Sequence, residues 1–115
     1  MLILASHLMG DYLLQNDWQA MGKKTSSLIC AVHVGLYLTG FYVLAAMGIL
    51  YWWQVAAIGV QHFIQDRTAI VAWYMRTAGQ VKFAQPPMSP WSMIAVDNAM
   101  HLVFVAAVLL IGGNW

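Results

Sequence analysis

Apolar residues run through this chain in four stretches of about 20 residues, the length that crosses a bilayer core. In water, stretches of that length must be covered by other protein or coated with charge. A soluble domain carries about 25% charged side chains, whereas 8% of these 115 residues are charged and 62% are hydrophobic. Lipid is the solvent that suits such a surface, and inside it only helices and closed barrels satisfy the backbone. A β-barrel needs alternating segments of about ten residues, which are absent. The sequence therefore predicts an all-α fold, an integral membrane four-helix bundle with a buried His/Asp polar core, with residues 1–115 as one membrane-embedded domain. The same composition excludes a disordered tail and a nucleic-acid binder. The single cysteine, Cys30, excludes a disulfide framework.

Helix punctuation places the elements. The first helix is expected from Leu2 to Met21, ended by Gly22 and Lys23-Lys24. Thr25, Ser26 and Ser27 offer N-caps, and the second helix runs from Leu28 to Met47. A short connection, Gly48 to Tyr51, leads to a third helix from Trp52. That helix stops near Asp66-Arg67, or continues to Met75-Arg76 as an interfacial segment with Trp73 and Tyr74. A polar loop from Thr77 to Met88 follows. Ser89 as N-cap and Pro90 at the first helical position then open a fourth helix to Ile111, stopped by Gly112-Gly113-Asn114. Lys23, Lys24, Arg67, Arg76 and Lys82 all fall in connections on one side of such a bundle. The positive-inside rule puts that side in the cytoplasm and both termini on the other side of the membrane.

Polar residues break the apolar stretches at helical spacing. His7, Asp11 and Gln15 lie four apart, as do His62 and Asp66, Asp97 and His101, and His33 and Tyr37. Residues at i and i+4 share a helix face, so three helices each present one His and one Asp, and the other a His and a Tyr. Asp11, Asp66 and His101 lie about 15 Å from the expected cytoplasmic helix ends, near the bilayer midplane. Each charge buried there costs at least about 2.5–3.5 kcal/mol, and a divalent cation relieves several carboxylates at once. His7, Asp11, His33, His62, Asp66, Asp97 and His101 are thus the candidate ligands for one or two ions. Mixed N/O donors without thiolate suit Zn, Mn or Fe. A hydrogen-bonded structural core and a proton or ion path are the competing readings of the same residues. A haem held by two histidines would leave three carboxylates without a role. Asp66, Asp97 and Arg67 are the candidate catalytic residues, Arg67 either clamping an anion or snorkelling to the headgroups. Gln65 and Asn98 are expected behind the ligands, and Asp17 beside Lys23 or Lys24. Trp18, Trp52, Trp53, Trp73 and Trp91 are expected as interfacial anchors.

The runs HLMGDYLLQNDWQA (His7 to Ala20), HFIQDR (His62 to Arg67) and PWSMIAVDNAMHL (Pro90 to Leu102) resemble the domain of unknown function 3307 family of small bacterial and phage membrane proteins. The resemblance covers nearly the whole chain. It implicates His7, Gly10, Asp11, Gln15, His33, His62, Asp66, Arg67, Asp97, Asn98 and His101, and supplies no activity. Two functions remain open at this point. One is a metal-binding membrane protein that hydrolyses a lipid or lipid-linked phosphate. The other is a non-enzymatic membrane protein, in which Gly35, Gly40 and Ala56-Ala57-Gly59 permit packing into a homo-oligomer or against a membrane-protein partner.

Overall fold

The first expected helix is broken in its middle. In the computed structural model, which describes residues 1–113, α1 (Leu2–Leu8) runs into a π-helical turn (Met9–Leu13) and stops. Asn16 then caps a separate α2 (Asp17–Gly22), its side chain accepting from Gln19 N at 3.0 Å. The second expected helix is also two pieces, α3 (Ser27–Tyr37) and α4 (Thr39–Ala46), bent by 42° at Leu38. Ser26 caps α3 by accepting from Ile29 N at 3.3 Å. The third element settles both options at once. α5 (Trp52–Arg67) ends where Thr68 turns extended, and α6 (Ile70–Thr77) is a short separate helix with Val71 and Met75 buried and Trp73 and Tyr74 exposed. α7 (Trp91–Gly112) starts with Pro90 rather than Ser89 at the cap, and Gly113 closes it at φ 72°. Asn114 of the expected stop lies outside the described residues.

Every regular element among the described residues is helical. The expectation of four continuous membrane-length helices is corrected. Among the described residues, only α7 is long and apolar enough to cross a membrane alone, and the bent α3–α4 pair would make a second span. The breaks have local causes. The π turn and the Asn16 cap stop the first stretch, while α5 has 16 residues and interrupts its apolar run with Gln54, Gln61, His62, Gln65, Asp66 and Arg67.

Four legs nevertheless pack together: α1 with its π turn, α3–α4, α5 and α7. Asp11 lies near the end of its leg, His33 in the first half of the α3–α4 leg, Asp66 at the end of α5 and Asp97 in the first third of α7. Since these residues meet, consecutive legs alternate in direction. The inward seam changes character along its length. At one end it is apolar, with Phe41, Leu44, Val55, Ile58, Val105 and Val108 buried together. One or two turns along the same helices it becomes His33, His62, Gln65, Asp66 and His101.

Two glycines set how closely the first leg lies. A Cβ on Gly10 would come within 2.7 Å of Tyr37 Cα, and one on Gly40 within 2.7 Å of Ser6. Gly40 and Gly59 are thus consumed inside the chain, Gly59 against Leu38, while Gly35 faces open space. All five expected tryptophan anchors are exposed.

Candidate metal centre

Three helical segments deliver four donor atoms to one point. Asp11 Oδ1 comes from the π turn, His33 Nε2 from α3, and His62 Nε2 and Asp66 Oδ2 from α5. His33 Nε2 lies 3.3 Å from Asp11 Oδ1 and 3.1 Å from Asp66 Oδ2. His62 Nε2 is 3.2 Å from each of the same oxygens, and the two Nε2 atoms are 3.2 Å apart. Ligands held tetrahedrally at about 2.0–2.1 Å from a Zn-sized ion stand about 3.3–3.4 Å from one another. Five of the six edges of this tetrahedron are therefore close to a metal site's dimensions. All four residues are buried. With Nδ1–H of His33 donating to Gln19 Oε1 at 3.4 Å, its Nε2 lone pair faces the carboxylates. Asp11 Oδ1 has no hydrogen-bond partner.

The π turn is part of this arrangement. Its extra residue per turn re-aims the side chains that follow, a device found at functional sites. Here Asp11 enters the cluster while the chain breaks before Gln15. Gln15 consequently leaves the histidine face that i,i+4 spacing predicts, and lines an adjoining pocket. Gln19, on the far side of the break, takes the place behind His33.

His7 is brought to the edge of the group, 3.7 Å from Asp11 Oδ2, and both its nitrogens are occupied. Asn98 Nδ2 donates to the Ile94 carbonyl at 2.9 Å and to Tyr12 Oη, so Asn98 Oδ1 faces His7. His7 Nε2 therefore donates to Asn98 Oδ1 at 3.0 Å, and Nδ1 accepts from Tyr37 O–H at 3.0 Å. A neutral imidazole so used has no lone pair left for a cation. Asp97 and His101 form a second group with Asp66, one donor atom from each lying within 4.8 Å of the others. The rings of Tyr37, His62 and His101 stack in series, with centroids 3.7 and 4.0 Å apart.

The cluster sits nearer one end of the helices than the midplane depth expected from a longer third helix, because α5 ends one residue after Asp66. That end carries Lys23, Lys24 and Arg67. Lys23 Nζ lies 2.8 Å from Asp66 Oδ2, and Lys24 Nζ donates to the carbonyls of Asp66 and Thr68 at 3.2 and 3.4 Å. The expected partner of these lysines was Asp17; Lys23 instead pairs with Asp66. The guanidinium of Arg67 donates to the carbonyls of Lys24 and Thr25 and to Ser27 Oγ. It thus ties down the loop that presents the lysines, and the lysines rather than Arg67 line the site.

Beside the cluster opens a pocket of about 420 Å³. Asp11, Asp66 and Asp97 form its charged part, Lys23 and Lys24 stand at one wall, and Val71, Ala72, Met93 and Ile94 make another wall apolar. Sequence reasoning missed Gln19, Gln61 and Lys23. Gln61 has only its place next to His62 as a signal, Gln19 has none, and Lys23 reads as an ordinary loop charge. Gln65 and Asn98 do stand behind the cluster, on Asp97 and His7 respectively.

A model of the family described as "Protein of unknown function (DUF3307)" matches residues 1–114. No curated protein and no solved structure matches the chain.

Proposed function

Because the chain belongs to the DUF3307 family, whose description assigns no activity, its own geometry must supply the reading, and we propose that it is a membrane-embedded, metal-dependent hydrolase of a lipid or lipid-linked phosphate. The observation that carries this is one pocket with three unlike walls. Asp11 and Asp66 of the donor set line one part of it, Lys23 and Lys24 another, and Val71, Ala72, Met93 and Ile94 an apolar part. An amphiphile with an anionic head matches all three.

Asp11, His33, His62 and Asp66 would hold the ion, and Gln19 would orient His33. Such an ion polarises a phosphoryl oxygen and makes water a better nucleophile near neutral pH. Lys23 and Lys24 would bind the phosphate charge as point cations. Val71, Met93 and Ile94 would take the first carbons of the acyl or prenyl chain and exclude water from that side. Asp66 and Asp97, both at the pocket, meet the reacting group, while Arg67 is a positioning residue acting through the lysine loop.

Membrane embedding rests on the outer surface. α7 has a mean hydropathy of 2.2 over its most apolar stretch, of which 17% is buried, whereas the core helix of a soluble protein is mostly buried. Leu2, Leu13, Val43, Val60, Val103 and Leu110 are each more than half exposed. So many large apolar side chains left exposed suit contact with lipid or another protein. The lysine end would face the cytoplasm and both termini the opposite side.

The test uses the full chain in mild detergent, presented with phosphatidic acid and an isoprenyl phosphate. Phosphate release that requires added Zn²⁺ or Mn²⁺ and disappears in His33→Ala/His62→Ala is the expected result. Metal bound without turnover of either amphiphile would favour the non-enzymatic reading. Absence of bound metal would leave the cluster as a hydrogen-bonded core.

A further inference from the structure

The Asp66 carboxylate faces two ways. Its Oδ2 belongs to the His33/His62 group, while its Oδ1 lies 3.6 Å from His101 Nε2, itself 3.7 Å from Asp97 Oδ2. Neighbouring carboxylates alone do not make a cation site. The state of His101 does, and the hydrogen bonds around it decide that state.

The chain of reasoning starts at the backbone carbonyl of Asp97, which can only accept. Gln65 Nε2 donates to it at 2.8 Å and to Asp97 Oδ1 at 2.9 Å. The amide oxygen of Gln65 therefore points the other way, where it accepts from Gln61 Nε2 at 2.6 Å. That turns the oxygen of Gln61 toward His101 Nδ1, 3.2 Å away. Facing an acceptor, Nδ1 carries the hydrogen, and the Nε2 of neutral His101 is a bare lone pair. His101 is completely buried, and its Nε2 has no hydrogen-bond partner. The two atoms it faces are carboxylate oxygens.

Three electron-pair donors thus converge with no hydrogen between them. An imidazolium at His101 would draw one oxygen into a charge-assisted bond of about 2.7–2.9 Å. The observed 3.6 and 3.7 Å are too long for that. They are within a few tenths of an ångström of the separation of donors around a small divalent ion, about 3.3–3.4 Å.

We infer that Asp66, Asp97 and His101 bind a second divalent cation, with the Asp66 carboxylate bridging it to the ion held by Asp11, His33 and His62. The inference rests on the metal reading of the first group. Two-metal sites with ions about 3.5–4 Å apart serve phosphoryl transfer, where both attacking and leaving oxygens need stabilising. Two such ions more than offset the three carboxylates, so the pocket would attract a phosphate. Each group has two donors on the pocket, Asp11 and Asp66 in the first and Asp66 and Asp97 in the second, but the second offers three protein donors rather than four. The second position is therefore the one with room for a substrate oxygen, and the substrate class narrows to phosphate esters.

The test counts ions on the full chain in mild detergent. The protein is stripped with chelator, re-equilibrated with Zn²⁺ or Mn²⁺, desalted and measured by elemental mass spectrometry. Two ions per chain are expected, falling to one in His101→Ala. Gln61→Leu keeps His101 but removes the acceptor that fixes its tautomer. It should weaken the second ion by at least about tenfold, the usual effect of losing such a supporting contact, with the first ion unchanged. The unmodified protein loaded with Mn²⁺ should give the electron paramagnetic resonance spectrum of a spin-coupled pair, a readout that depends on no variant. One ion per chain, retained in His101→Ala and spectroscopically isolated, would overturn the second site and leave the first reading standing. No retained ion would overturn both.

Discussion

Replacing Gly10 with alanine tests how the close approach of two backbones builds the site. The added Cβ would stand 2.6 Å from Tyr37 Cδ2 and 2.7 Å from both Tyr37 Cα and Tyr37 O. Ordinary van der Waals contact begins at 3.4 Å, so one backbone must retreat by about 0.7 Å. A flexible side-chain tip could move aside, but the Cα and O of Tyr37 sit at the end of α3, with the 42° bend directly after. The segment that yields is the π turn, and Asp11 is the next residue. Overpacking of this kind costs about 1–3 kcal/mol. A donor displaced by most of an ångström also weakens the metal, by about the 10–100-fold that disturbed ligand support costs. The assay is thermal unfolding in detergent, with and without Zn²⁺, together with Zn²⁺ affinity by competition with a chromogenic chelator. Gly35→Ala is the control. Nothing lies within 4 Å of a Cβ there, and alanine gains helix propensity of up to about 1 kcal/mol. Gly10→Ala should melt earlier and bind Zn²⁺ more weakly, and Gly35→Ala should do neither. If the two variants behaved alike, the argument from backbone contact would be refuted.

Three further outcomes follow from the same geometry. Tyr37→Phe removes the hydroxyl that donates to His7 Nδ1 and leaves a buried acceptor unsatisfied, so stability should fall by about 1–3 kcal/mol in denaturant titration. Lys23→Met takes the cation from the buried Asp66 carboxylate. The metal-free protein should lose about 3–5 kcal/mol, and saturating Zn²⁺ should recover part of the loss in a melt with and without chelator. Removing metal from the unmodified protein should itself lower stability, by about 2.7 kcal/mol relative to protein held at a hundred times the dissociation constant. A melting temperature indifferent to chelator would contradict a bound ion.

Much of the centre was legible because helical spacing is a strong rule. The pairs His62/Asp66 and Asp97/His101 need only one continuous helix to share a face, and α5 and α7 are continuous there. The first leg shows where the rule stops. His7, Asp11 and Gln15 have the same spacing, yet the π turn and the break before Asn16 separate their roles. His7 becomes a hydrogen-bonded linker, Asp11 a donor of the cluster and Gln15 a pocket residue. Spacing assumes 3.6 residues per turn, and nothing in the residue types between Met9 and Leu13 announces an extra one.

By itself the sequence determined what kind of surface and what kind of core this protein has. A chain with nine charged residues, no glutamate and histidines inside apolar runs must fold as apolar helices around a few polar groups that cannot all face water. Membership of the family was equally legible, since motif order survives without coordinates. The tertiary structure alone decided which polar groups meet. Asp11 and His33 are 22 positions apart and share no helix, and they come within 3.3 Å because Gly10 lets two backbones touch. Lys23 reaches Asp66 because α5 ends at Arg67, whose guanidinium holds the lysine loop over that end. The tautomers of His7 and His101 depend on amides from other helices, Asn98 and Gln61. Side-chain periodicity is a property of one helix. The distance between helices is set by the smallest residues at their crossings and by where each helix stops, and both become visible only when the legs are packed.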